Sequence, residues 1–264
     1  AEIGLPAASD CRLRLVNTDR TRIIEIAVDG TDAAVVAIDG IGVTPFALDG
    51  WYLPPAGRLD LVVRAPAAGG VARLVDRGLD PAVPLARLVG QGPAGPGGGF
   101  DPRPLRAGRI PEPVLDAAER RVFTFARADA AAPAAVDDPT GGLLIGSLCL
   151  SADSLWSING AGWPGRDHSE IPPPLAILER GRSYVFELKN ASRIMHPIHI
   201  HGHSFKVLRS NQRNLPVHHA DTVLLLPDET VEVALVADNP GKWMFHCHVI
   251  EHQEAGMMGY VEVV

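Results

Sequence analysis

A cysteine held between two histidines, in HCHVIEHQEAGMM at residues 246 to 258, constrains the fold of this chain more than any other feature. Along a β-strand successive side chains point to opposite faces, so Cys247 faces one side while His246 and His248 share the other. A second segment, HPIHIHGH at 196 to 203, has a matching parity. His199 and His201 project together, and His196 lies on the opposite phase, where it can join Cys247. Two strands of one sheet, each with a different donor set on either face, satisfy both segments at once.

The first donor group is His196, Cys247 and His252, followed by two methionines, Met257 and Met258. Two imidazoles and a thiolate with a weak axial thioether suit a copper electron-transfer site, since soft sulfur favours Cu(I) and imidazole serves both oxidation states. Chemistry alone accepts either methionine. Histidine and thiolate also suit structural zinc, but a thioether is a poor zinc ligand, which favours copper. The second group, His199, His201, His246 and His248, is all imidazole and is open to copper, zinc or iron.

The rest of the chain reads as all-β. Short apolar runs at residues 13 to 16, 23 to 28, 59 to 63, 184 to 188, 223 to 226 and 231 to 236 are separated by Gly, Pro, Asp and Asn turns. No stretch keeps a helical period with caps, so any helix is a short connector. The run GQGPAGPGGGFDPRP at 90 to 104 favours neither regular element, because glycine raises the entropy cost and proline removes donors. A linker is expected there, the rival reading being a long loop inside one domain. A fresh strand signal, RVFTFAR at 121 to 127, and WSING at 156 to 160 then open a second sandwich.

These segments resemble the C-terminal cupredoxin domain of the three-domain multicopper oxidases, the family of laccases, ascorbate oxidase and bacterial copper-efflux oxidases. HPIHIHGHSF is similar to the family's H-P-x-H-x-H-G-H element, and HCHVIEHQEAGMM to its H-C-H-x3-H-x4-M element. The resemblance implies that His196, Cys247, His252 and Met257 hold a type 1 copper, Met257 being chosen on the family's loop spacing. It assigns His199 to a type 2 copper, and His201, His246 and His248 to a type 3 pair. Cys247 with His246 and His248 would form the electron relay. CRLRLVNTDRTRIIEIAVDG at 11 to 30, VVAIDG at 35 to 40 and LPPAGRLDLVVRAP at 53 to 66 look like the copper-free middle domain. The expected fold is therefore two cupredoxin-like Greek-key β-sandwiches, residues 1–92 and 119–264, joined by a Gly/Pro-rich linker at 93–118.

In the family, four further histidines from a first domain close the oxygen-reducing cluster, whereas this chain has no histidine before His168. The expectation is a copper oxidoreductase that takes electrons from a small reducing substrate, a phenol, aryl amine or metal ion, and passes them towards O2. Half of the oxygen site would be supplied by a missing N-terminal cupredoxin domain or a partner chain. The rival reading is an electron-transfer module that uses the type 1 copper alone. A two-domain nitrite reductase or two-domain laccase would need histidines in the first sandwich, and residues 1–90 have none.

By the resemblance the protein is bacterial and periplasmic or secreted. A formal charge of −7 argues against a nucleic-acid partner, and no apolar run approaches the roughly 18 to 20 residues of a membrane span. Cys11 and Cys149 read as buried free thiols rather than a pair. His203 reads as a hydrogen-bonding residue beside the ligands, His218 and His219 as part of a polar turn, and His168 as a loop residue. In several bacterial relatives a carboxylate that delivers protons follows the second type 1 histidine. Here that position is Gln253, which cannot exchange a proton as a carboxylate does. Glu251 and Glu254 read as solvated neighbours, and Asp221 as part of a family D-T-V element without a catalytic role.

Overall fold

The structure, a computed structural model, describes residues 1–95, 98–106, 108–128, 155–163 and 171–264. Cys149 and His168 lie outside the described residues. The chain divides into two compact units, Ala1–Arg109 and Ile110–Val264.

The first unit carries β1 (Glu2–Pro6), β2 (Asp10–Val16), β3 (Ile24–Asp29), β4 (Ala33–Ile38), β5 (Ile41–Ala47), β6 (Trp51–Leu53), β7 (Arg58–Arg64), β8 (Val71–Asp76) and β9 (Val83–Gln91). They form a five-stranded sheet, β1-β9-β8-β3-β6, and a four-stranded sheet, β2-β7-β4-β5. Leu59, Leu61 and Val63 alternate along β7 and are fully buried, as the period of a half-covered strand requires. Asp60 points the other way, where it pairs with Arg12 and Arg14 of β2.

The second unit carries β10 (Glu119–Arg127), β11 (Trp156–Ile158), β12 (Ala176–Leu178), β13 (Ser183–Asn190), β14 (His196–Ile200), β15 (Phe205–Ser210), β16 (His218–Ala220), β17 (Thr222–Leu225), β18 (Thr230–Val236), β19 (Gly241–Cys247) and β20 (Met258–Val263). One sheet runs β11-β10-β13-β18-β15-β16 and the other β12-β20-β19-β14-β17. Phe123, Phe125, Phe186 and Phe245 are buried together, with edge-on ring contacts at centroid separations from 4.8 to 6.2 Å. Phe245 immediately precedes His246, so this aromatic cluster fixes the strand on which the donors sit. Both units are all-β sandwiches, and the described helices are a single 3-10 turn, Leu115–Ala117, and α1 (Ile250–Glu254).

Gly98 and Leu105, from the Gly/Pro-rich stretch, make contacts within the first unit. Gly98 O accepts a bond from Arg64 Nη2 at 2.7 Å, and Leu105 lies so close to Gly42 that a side chain there would collide with its carbonyl. Beyond Arg109, the Val114 N–H donates to Ser183 Oγ at 2.9 Å and Glu112 pairs with Lys206. Against expectation, His218 and His219 lie on a strand, not in a turn. They pair with Val207 and Lys206 at the sheet edge, and His218 is buried. Among the described residues Cys11 is in no disulfide and is only half-buried. Among them, too, no helix is long and apolar enough to cross a membrane.

Candidate metal centre

The register between β14 and β19 sorts the donors. Ile198 pairs with Cys247 and His199 with His246, and residues directly opposite in a ladder share a face. His196, two residues before Ile198, therefore falls on the face of Cys247. His201 and His248 lie just beyond the strand ends, held by His201 N–H to Met244 O at 2.9 Å and His248 N–H to Pro197 O at 2.8 Å. His252 comes from α1, whose first turn is closed by its N–H to Val249 O at 3.0 Å.

On the first face the structure brings together His196 Nδ1, His252 Nδ1 and Cys247 Sγ. The two nitrogens are 3.2 Å apart, and the sulfur lies 3.9 Å from His196 and 3.5 Å from His252. A trigonal ion with metal–ligand distances near 2.0 to 2.3 Å separates its ligands by roughly 3.5 to 4.0 Å. The two edges to sulfur fall in that range and the nitrogen–nitrogen edge is a few tenths of an ångström shorter, so a small ring movement admits such an ion. The indole of Trp156 covers both imidazoles, with centroids 5.0 Å from each. His196 and Cys247 are 0 % exposed and His252 is 7 % exposed, so the site is dry with one nearly covered edge.

Burial sets the electrostatics. It holds His252 down to about 4 and pushes His196 well below the ordinary imidazole range, with the neighbouring His252 adding to the effect. Burial drives the Cys247 thiol strongly upward. Two imidazoles and one sulfur converging on one point make a donor set suited to a soft metal ion.

On the opposite face, donor atoms of His199, His201 and His246 lie within 4.8 Å of one another. His201 Nε2 and His246 Nε2 are 3.0 Å apart. His199 Nδ1 donates to Asp221 O at 2.9 Å and His246 Nδ1 to Cys247 O at 2.9 Å, which leaves their Nε2 lone pairs for a ligand. His248 joins by ring contact, its centroid 4.3 Å from His199 and 5.4 Å from His246. This face is open: His201 is exposed, His199 and His248 are half-buried, and only His246 is buried. Burial holds His246 down to about 4 and lowers His201.

The two methionines separate by register. Met258 pairs with His246, which puts it on the imidazole face, whereas Met257 precedes it on the Cys247 phase and is fully buried. Met257 O accepts the Cys247 N–H at 3.1 Å. Gln253 and Glu251 are half-buried and Glu254 is exposed. His203 donates weakly to His201 O at 3.4 Å and packs edge-on against Trp243.

Sequence reasoning missed two supports of these sites. Gly202 has φ +69 and lies under the Trp243 ring, so no side chain fits there. Trp243 in turn donates to Asn239 O at 2.8 Å, and Asn239 to Gly202 O at 3.1 Å. The other is Ser192, whose hydroxyl contacts His196 Nε2 at 2.8 Å. A serine and an asparagine two residues apart are a known turn signal, the one hint that sequence offered.

The chain is similar to known proteins in sequence and in fold. The sequence profile of the multicopper oxidase family matches residues 152–264. The multicopper oxidase MmcO of Mycobacterium tuberculosis is 31% identical over 250 residues, spanning 93% of this chain and 45% of that protein. A multicopper oxidase of Staphylococcus epidermidis is 40% identical over 86 residues, 30% of this chain and 19% of its own length. A solved multicopper oxidase from Pseudomonas thermotolerans superposes with a TM-score of 0.82 at 37% identity, covering 100% of this chain and 57% of that one. The chain thus spans about half the length of these longer relatives. By profile, by identity along nearly its whole length and by fold, this chain belongs to the multicopper oxidase family.

Proposed function

We propose that the chain supplies the substrate-oxidising half of a copper enzyme and part of the site at which its electrons reach O2. His196, Cys247 and His252 would hold one copper, with the buried Met257, whose carbonyl accepts the Cys247 N–H, as a further weak sulfur donor. His199 would hold a type 2 copper, and His201, His246 and His248 type 3 copper. Copper bound at these positions supplies one-electron redox chemistry. The observation that carries the reading is that Cys247 belongs to one donor group while its bonded neighbour His246 belongs to the other.

The protein's own groups divide the work. Trp156 and the buried walls exclude water from the thiolate site. His252, at its slightly exposed edge, is where a small reductant such as a phenol, aryl amine or metal ion would deliver an electron. The peptide from Cys247 to His246 and His248 is the covalent route between the faces. On the second face, Asp221 O and Cys247 O hold protons on the Nδ1 atoms of His199 and His246, so that both present Nε2 outward. That face has four imidazoles, and further histidines from another domain or chain would complete it. The first 167 residues offer none. A periplasmic or secreted location accompanies this reading.

Copper stoichiometry with visible and EPR spectra tests it. An intense visible thiolate band that disappears in Cys247→Ser supports the assignment, and a band that survives this substitution refutes it. If the open face takes up no copper even beside a histidine-bearing partner, the chain is an electron-transfer module instead.

A further inference from the structure

The far nitrogens of the imidazoles are treated differently on the two faces. On the open face, backbone carbonyls take the Nδ1 protons of His199 and His246. On the buried face the pattern inverts, and the anchoring group is a side-chain hydroxyl. We infer that Ser192, oriented by Asn190, is a positioning residue that keeps the proton of His196 on Nε2 and so presents Nδ1 to the metal.

The hydrogen bonds around Ser192 favour this direction. Asn190 Nδ2 donates to Ile194 O at 2.7 Å and to Leu226 O at 2.8 Å, which fixes the amide and turns Oδ1 towards Ser192. Oδ1 accepts both the Ser192 N–H at 3.0 Å and the Ser192 hydroxyl at 2.8 Å. A serine hydroxyl has one proton. Once it is given to Asn190, Oγ can only accept from His196 Nε2, 2.8 Å away. Nε2 must then carry the hydrogen, and the lone pair resides on Nδ1, 3.2 Å from His252 Nδ1 and 3.9 Å from Cys247 Sγ. Asn190 and Ser192 are 3 % and 8 % exposed, so water does not compete for these bonds.

The consequence is a ligand held ready before metal arrives. Partners of this kind, bonded to a ligand's far nitrogen, commonly change metal affinity 10- to 100-fold. The assignment of His196 as a ligand rests on the function proposed above, whereas its tautomer can be read without any metal.

The test uses metal-free residues 1–264 labelled with 15N-histidine, with the tautomer of His196 read by NMR. The wild type should show a single form protonated on Nε2. Ser192→Ala should show a mixture of tautomers and about 10- to 100-fold weaker copper binding, and Ser192→Thr, which keeps the hydroxyl, should restore both. A wild type protonated on Nδ1 overturns the inference, as does a Ser192→Ala protein with unchanged tautomer and affinity. If Ser192→Ala does not fold, the wild-type and Ser192→Thr spectra decide alone, because both must show Nε2–H. A wild type that takes up copper without the thiolate band refutes the proposed function instead, and leaves the tautomer result standing.

Discussion

Ile198 and Cys247 face each other across the β14 and β19 ladder, and this one pairing places every strand-borne donor. With it, His199 meets His246 on one side of the sheet and His196 meets Cys247 on the other. A slip of one residue would invert the arrangement. Residues that stabilise this register are therefore as important as the donors.

The first prediction separates the two faces. His201→Ala should leave the intense visible band of the copper-loaded chain nearly unchanged, because His201 lies on the open face and shares no donor atom with the thiolate triangle. Bleaching of that band in a titration with Cu(II) would refute the division.

Arg213→Ala should destabilise the second unit by about 3–5 kcal/mol, the usual cost of stranding a buried charge. Glu229 is fully buried and accepts from Arg213 Nε at 2.8 Å, Arg213 Nη2 at 2.9 Å and the Leu226 N–H at 2.6 Å. Urea unfolding of the metal-free protein measures the loss. A change below about 1 kcal/mol would show that the carboxylate finds other partners.

Gly202→Ala should destabilise by more than about 1 kcal/mol, since a left-handed backbone and a displaced Trp243 ring both oppose the methyl group. Near-ultraviolet circular dichroism should change as Trp243 shifts, and the lowered stability should appear in the melting temperature. An unaltered spectrum and temperature would contradict this packing.

Burial lowers His218 below the ordinary imidazole value, against the opposing bond of its Nδ1 to Pro216 O at 2.6 Å, and His219 adds to the depression. Because the folded value is below that of the unfolded chain, the unfolded state binds more protons below about pH 6.5. Stability should fall as pH drops from that point towards the folded value. His218→Gln should flatten this part of the curve, measured as urea midpoints at pH 7 and pH 5. Equal slopes for the two proteins would remove His218 as a source of acid sensitivity.

Much of this was legible from residues alone, because strand periodicity is local. The runs at 59 to 63 and 184 to 188 became β7 and β13, and His196, His199, His246 and Cys247 lie where parity puts them. The limits are equally physical. His201 and His248 sit past their strand ends, where alternation no longer dictates direction, and backbone hydrogen bonds to Met244 O and Pro197 O hold them instead. The contact of Gly202 with Trp243 joins residues far apart in sequence, and no pattern in either neighbourhood signals it. Ser192 was legible as a turn residue but not as a partner of His196, since that requires knowing which way the hydroxyl points. Edge pairing made His218 and His219 a strand although their surroundings look polar.

The small loop around α1 is a self-contained unit. Cys247 N–H bonds back to Met257 O, and Met257 N–H to His252 O at 2.9 Å. Cys247 and His252 are 5 residues apart, whereas His196 is 51 residues from Cys247. Closing the short segment costs little chain entropy compared with recruiting the distant strand. Bringing Cys247, His252 and Met257 together therefore asks less of the chain than adding His196, which must be carried in from a strand far away in sequence.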